Sequence, residues 1–251
     1  VSLKSIGLII VAAIFLFIMA DYVNACSMIA FQNLLDDSLQ AIVNKPVEAL
    51  VVVAILPAII EEFLFRGMIY RGIANKSNKK IVIIISALLF AFLHMNFNQM
   101  CYAFVMGLVF AIVIYLTDNL SVSILLHMLF NAFTVIITCF EKSNAIQAIL
   151  QCNIAGYTLF NPSLTDTQGK IEISLLIIGG LIAILSAVIA GWLILLIAKT
   201  EKTTETTINN ENILKDNDNI FKNNENWKPD FRFFAGSGVC ILIAILYEIL
   251  L

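Results

Sequence analysis

Long apolar runs separated by short polar breaks dominate the pattern of this chain. A helix needs about 20 apolar residues to cross the hydrocarbon core of a bilayer, and seven runs approach that length. They lie at 3–22, 47–72, 79–97, 99–117, 121–140, 172–198 and 234–251. The pattern therefore predicts an all-α fold, a polytopic membrane helix bundle with about seven transmembrane helices.

The polar segments between the runs predict five parts. Residues 27–44 carry Asp36 and Asp37 among apolar positions, which is typical of a loop or an interfacial helix. The stretch 199–233 is rich in Asn, Glu, Thr and Lys, so we expect a solvated linker there. The parts are a first transmembrane helix with its loop (1–46), a core of four helices (47–140), a loop with a sixth helix (141–198), the polar linker (199–233) and a last transmembrane helix (234–251).

Composition supports a membrane protein. The 251 residues are 60% hydrophobic and 13% charged, whereas soluble domains are roughly 45–50% apolar and about 25% charged. Mean hydropathy is +0.93. We expect an integral, multi-pass protein, in the cell membrane if the chain is bacterial, with lipid as a partner and no nucleic acid. The run that follows Lys4 predicts a first transmembrane helix rather than a signal peptide.

Lysine and arginine placement predicts an orientation. Positive residues are concentrated after the second run, at Arg71, Lys79 and Lys80, and after the sixth, at Lys199 and Lys202. This bias favours a cytoplasmic N-terminus and an outside C-terminus. The five cysteines contain no CxxC pair, which indicates small apolar fillers rather than a disulfide framework or a thiolate metal site.

Two adjacent glutamates inside the second apolar run stand out from this pattern. One acidic residue at bilayer depth costs at least ~2.5 kcal/mol, so Glu61 and Glu62 need partners within the protein. Glu62 and Arg66 are four residues apart and share a helix face, which predicts an ion pair. Glu61 points about 100° away and stays available for chemistry. Pro57, one turn earlier, predicts a kink.

Both histidines of the chain also fall in predicted spans. His94 closes one run, and His127 shares a helix face with Asn131 four residues on. A buried carboxylate suits a general base, an imidazole can hold the proton of an attacking water, and an imidazole with a carboxamide can stabilise an oxyanion. The types of residue therefore favour hydrolysis by water, and no strong GxSxG or HExxH signature competes with it.

These motifs resemble those of the CPBP family, which contains CAAX prenyl endopeptidases and bacteriocin-processing or self-immunity membrane proteins, also called Abi proteins. The resemblance covers roughly 47–140 and rests on three motifs in order, EExxxR, FxxxH and HxxxN. It implies a glutamate-type intramembrane endopeptidase acting on a peptide, prenylated or otherwise delivered to the membrane. The implied roles are water activation by Glu61 with His94, an oxyanion hole of His127 with Asn131, and structural support from Glu62 and Arg66.

Several alternatives stay open at this point. We expect no cofactor, but a divalent metal such as zinc on Glu61, His94 and His127 is an alternative. A non-catalytic immunity or scaffold protein and a proton-coupled transporter are alternative functions. Upright helices place the two histidines at different depths, which requires tilted helices or different span boundaries.

Two further expectations concern polar and small residues. Asn96, Asn98 and Gln99 are expected in a loop after His94. The pair at 179–180 consists of two glycines, which predicts close approach of two helices.

Overall fold

The computed structural model describes residues 1–31, 44–74, 78–167 and 169–215, with only the backbone at 205 and 207–215. Within these ranges the protein is a bundle of apolar helices with one small hairpin. The predicted last helix at 234–251, most of the predicted loop at 27–44 and the linker beyond 215 lie outside the described residues. The elements are α1 (Leu3–Met28), α2 (Pro46–Ala49), a first π segment (Leu50–Ile55), α3 (Leu56–Glu62), a second π segment (Phe63–Tyr70), α4 (Arg71–Ala74), α5 (Lys79–Leu93), α6 (Phe97–Thr117), α7 (Leu120–Cys139), α8 (Asn144–Leu150), β1 (Asn153–Ile154), β2 (Tyr157–Thr158) and α9 (Ile173–Lys215).

Among the described residues, four helices are long and apolar enough to cross a membrane, at Leu3–Met28, Phe97–Thr117, Leu120–Cys139 and Ile173–Thr204. With this helical architecture the protein is an integral, multi-pass membrane protein. The predicted count of seven spans stays a prediction. Two of the predicted runs are not single long helices, because α5 has 15 residues and the run at 47–72 changes its winding four times.

The continuous helical stretch Pro46–Ala74, which we call the broken helix, alternates α and π winding. Pro57 has no N–H, so the Val53 carbonyl four residues earlier lacks its α-helical donor. The first π segment ends just before Pro57, and there the Leu56 N–H reaches the Val51 carbonyl five residues back. The Asn131 side chain donates to the Val53 carbonyl at 3.2 Å. The predicted kink is therefore a change of helix type, a feature often found at functional sites.

The expected loop at Asn96, Asn98 and Gln99 is wrong in part, because α6 begins at Phe97. Asn96 caps the helix, and its side chain accepts from the Asn98 N–H at 3.1 Å. Asn98 is buried and donates to the Ser27 hydroxyl at 2.6 Å, which joins the start of α6 to the end of α1. Asparagine is a favoured N-cap, and this capping is what the loop interpretation missed.

The predicted linker at 199–233 is also corrected at its beginning, since α9 continues without a break to Lys215. Lysine and glutamate are good helix formers, so a polar sequence can extend an anchored helix. Glu201 provides an anchor, because its carboxylate accepts from the Ser2 N–H at 3.1 Å and from the Asn119 side chain at 2.9 Å.

The glycine pair at 179–180 accommodates aromatic rings rather than a helix backbone. A Cβ at Gly179 would overlap the rings of Tyr157 from β2 and Tyr22 from α1. The hairpin that supplies Tyr157 turns through Ala155 and Gly156, both with positive φ, as a tight primed turn requires. The prediction of close helix packing is confirmed for α1, whose Tyr22 ring lies on both glycines, and the hairpin packs beside it.

Close approach of two helix backbones occurs instead at Gly107 on α6. A Cβ there would lie 3.0 Å from the Ala87 Cα and 3.2 Å from the Ala87 carbonyl oxygen on α5. We expect Gly107→Ala to destabilise the bundle by about 1–3 kcal/mol, because backbone must move to admit the methyl group. The matched control is Gly191→Ala, which meets nothing within 4 Å and replaces glycine with a better helix former. Thermal unfolding of both purified variants checks this, and an equal stability of the two would contradict it.

Candidate active site

The predicted ion pair forms at the end of α3. The Arg66 Nη1 lies 2.8 Å from the Glu62 Oε1, and both side chains are fully buried. The second guanidinium nitrogen donates to the Gly107 carbonyl at 2.9 Å. The guanidinium also lies over two rings, 4.5 Å from the centroid of Phe90 and 5.3 Å from that of Phe110. Arg66 is therefore paired by charge within the broken helix, and it joins this helix to α6 by a hydrogen bond and to α5 and α6 by cation–π contacts.

Glu62 has further partners on α7. Its Oε2 accepts from the Ser123 hydroxyl at 2.5 Å, and its Oε1 lies 3.1 Å from the His127 Nδ1. An ionised carboxylate can only accept, so His127 carries its proton on Nδ1. The sequence assigned Glu62 a role in structural support, but it gave no indication of these two contacts with α7.

His127 lies between the two glutamates. Its Nδ1 faces Glu62, and its Nε2 lies 3.9 Å from the Glu61 Oε2. His127 is 3% exposed and Glu61 5% exposed, so both lie away from bulk solvent. The ring stacks on Phe110, with centroids 4.7 Å apart. The pairing of Glu61 with His94 stays a prediction, and the structure places His127 beside Glu61.

The charges of this cluster constrain where its protons lie. Two glutamates and one arginine leave one negative charge in excess, and uncompensated charge is costly in a buried site. The excess lies at Glu61, whose carboxylate faces the Nε2 of His127 at 3.9 Å.

His94 reaches the same region from the end of α5. This helix is about 22 Å long at 1.5 Å per residue, shorter than the hydrocarbon core, so its end can lie at bilayer depth. The Phe90 ring contacts both histidines, with centroids 5.2 Å from His94 and 5.6 Å from His127. The short helix thus accounts for the apparent mismatch in depth between the two histidines.

The tautomer of His94 follows from its backbone contact. Its Nδ1 lies 3.1 Å from the Phe90 carbonyl oxygen, which can only accept, so Nδ1 carries the proton. The Nε2 of a neutral His94 is then a lone-pair acceptor, as a residue that orients a water requires.

Asn131 is the fourth residue predicted for the site. It lies one turn after His127 on α7, and its amide donates to the Val53 carbonyl of the broken helix. The amide nitrogen has a second hydrogen, which the role in an oxyanion hole would use. Asn131 therefore supplies the donor that the Val53 carbonyl lacks because of Pro57, and it lies on the face of α7 that carries His127.

The segment that contains the four predicted site residues is similar to known proteins. The family model described as Type II CAAX prenyl endopeptidase Rce1-like matches residues 43–133. The match shows that residues 43–133 are similar to this family. The membrane-embedded CAAX protease MroQ of Staphylococcus aureus (strain USA300) is 34% identical over 116 residues, which are 44% of this chain and 47% of that relative. The chain thus matches about half the length of this curated relative, and no solved structure matches it.

A metal ion would need several donor side chains gathered at one point. Among the described residues, no group of three or more His, Cys, Asp or Glu side chains is placed to hold one. The alternative donor set of Glu61, His94 and His127 is not gathered into such a group in this part of the chain, and the expectation of no metal stays a prediction.

Sequence reasoning missed three contributors to this site. Ser123 could have been found, because 123, 127 and 131 repeat every four residues and so share one face of α7. The Gly107 carbonyl gave no sequence signal. The ring of Phe110 resembled an ordinary apolar position of a span, whereas Phe90 is part of the FxxxH motif.

Proposed function

We propose that this chain is an intramembrane endopeptidase that hydrolyses a peptide bond of a membrane-delivered peptide with water activated by Glu61. The observation that carries the proposal is the position of His127 between two buried glutamates, with Nδ1 on Glu62 and Nε2 near Glu61. A structural ion pair needs only Glu62 and Arg66. The second buried carboxylate beside a histidine has a clear use in proton transfer.

In the proposed reaction, the oxygen of a water molecule attacks the carbonyl carbon while the Glu61 carboxylate takes a water proton. His94 orients the water through Nε2. The resulting oxyanion is stabilised by Asn131 and by the Nε2–H of His127 in its imidazolium form, whose Nδ1–H donates to Glu62. The C–N bond then breaks, and the proton on Glu61 passes to the leaving amine.

Substrate class follows from the environment of the site and from the family. The buried residues lie on helices of an integral membrane protein, so the peptide must be delivered within or beside the bilayer. A lipidated peptide, including a prenylated one, satisfies this requirement because its chain partitions into the membrane. We propose that class and not a soluble polypeptide.

The proposed chemistry uses no resident metal. In this mechanism the Nε2 of His94 orients the water and the Nε2 of His127 faces Glu61, so a metal bond at either nitrogen would displace its role. The proposal therefore describes a glutamate-dependent protease and not a zinc enzyme.

A cleavage assay tests this function directly. The purified chain in lipid nanodiscs is incubated with quenched peptide libraries, one unmodified and one prenylated, with and without 1,10-phenanthroline. We expect cleavage of the lipidated library and the same rate with chelator. Loss of cleavage with chelator and recovery with zinc would refute the metal-free mechanism. An absence of cleavage in both libraries would favour a non-catalytic immunity or scaffold role.

A further inference from the structure

Ser123 is a buried hydroxyl that contacts a charged group of the site. It is fully buried on α7, one turn before His127, and donates to the Glu62 Oε2 at 2.5 Å. That length is typical of a strong charge-assisted O–H···O⁻ hydrogen bond. Nothing in the three family motifs includes this position.

The orientation of the Glu62 carboxylate depends on its hydrogen bonds. The terminal torsion of glutamate is broad, so the side chain's own rotamer does not fix the plane of the carboxylate. Arg66 and His127 both contact Oε1, and Ser123 contacts Oε2. The Ser123 hydroxyl therefore holds Oε2 in place, and it prevents the Glu62 carboxylate from rotating while Oε1 keeps its two contacts.

We propose that Ser123 is a positioning residue that holds the plane of the Glu62 carboxylate, and thereby holds His127 with its Nε2 toward Glu61. This inference rests on the proposed peptidase function. Ser123 does not touch the substrate. Its effect passes through Glu62 to the imidazole, which is the group that carries or donates a proton.

Another buried serine offers a matched control. Ser86 on α5 is also fully buried, and its hydroxyl donates to the Phe65 backbone carbonyl at 3.3 Å. Both serines join a neighbouring helix to the broken helix, but only Ser123 reaches a carboxylate of the site. Loss of a buried helix-to-helix hydrogen bond is common to Ser86→Ala and Ser123→Ala, whereas loss of a contact to Glu62 is specific to the second.

The test uses four residues at position 123 in the nanodisc assay. Serine and threonine retain the hydroxyl donor, cysteine has nearly the size of serine with a weak donor, and alanine has none. We expect Ser123→Ala and Ser123→Cys to lower kcat roughly 10- to 100-fold, as for a lost hydrogen bond to a charged group, with KM nearly unchanged. Ser123→Thr recovers most of kcat despite its added methyl group. Ser86→Ala keeps the parent kcat.

The outcomes separate this inference from the function on which it rests. Activity that follows side-chain size, with cysteine near the parent and threonine inactive, would show packing and overturn the positioning role. Equal losses in Ser86→Ala and Ser123→Ala would overturn it too. If Glu61→Gln is inactive while Ser123→Ala is fully active, only this inference fails. If Glu61→Gln cleaves like the parent, the proposed mechanism fails.

Discussion

Glu61→Gln is expected to lower kcat for peptide cleavage by about 10²–10⁴, the usual contribution of a positioned general base. Glutamine has the shape of glutamate but cannot take a proton from water. The side chain is 5% exposed and lies 3.9 Å from the His127 Nε2, so the substitution alters chemistry at the centre of the cluster. The measurement is single-turnover cleavage of a quenched lipidated peptide, which separates the chemical step from product release.

Two comparisons make this prediction specific to Glu61. Glu48→Gln lies in the same broken helix but alters an exposed side chain that pairs with the exposed Lys45, so its activity is expected to equal that of the parent. Thermal unfolding of Glu61→Gln is expected near the parent midpoint, because an amide is less costly to bury than a carboxylate. A Glu61→Gln variant that keeps more than about a tenth of the parent rate would assign the base to another group.

The sequence predicts the position of a helix well where the length of an apolar run determines it. The runs at 3–22, 99–117 and 121–140 correspond to α1, α6 and α7, because hydrophobic runs of bilayer length form helices irrespective of detail. The helix at 173–215 was predicted too short. Apolar length ends near residue 198, but the anchor at Glu201 and good helix formers carry the helix further.

The π winding of the broken helix could be predicted only as a kink. Pro57 shows that one carbonyl loses its donor, but whether the chain bends, widens or ends there depends on what the neighbouring helix offers. Here Asn131 on α7 supplies a donor for Val53. That partner lies 78 residues away in the sequence, so local rules cannot find it.

Within the site, the Glu62–Arg66 pair followed from spacing alone, because both residues lie on one helix. The contacts between different helices could not be predicted from spacing. The positions of His127 beside Glu61 and of Ser123 beside Glu62 depend on how α7 rotates and slides against the broken helix. A resemblance of motifs can name residues for a site, but hydrogen-bond partners require the packing.

Arg66 is expected to be the largest single contributor to stability in the site. Arg66→Met removes the cation that balances Glu62 and leaves a fully buried charge, which costs about 3–5 kcal/mol. For a chain of this size that corresponds to a fall in the unfolding midpoint on the order of 10 °C. Arg66→Lys recovers only part of it, since an ammonium cannot reach Glu62 and the Gly107 carbonyl as a planar fork does.

The double variant Glu62→Gln with Arg66→Met separates stability from chemistry. Removing both charges of a buried pair is often neutral, so the double variant is expected to unfold near the parent and well above Arg66→Met. It is nonetheless expected to be inactive, because His127 loses the carboxylate that fixes its Nδ1 proton. Thermal unfolding in nanodiscs and the cleavage assay are measured on the same preparations. An unfolding midpoint for the double variant as low as that of Arg66→Met would show that the guanidinium acts mainly through Gly107, Phe90 and Phe110, and not through charge balance.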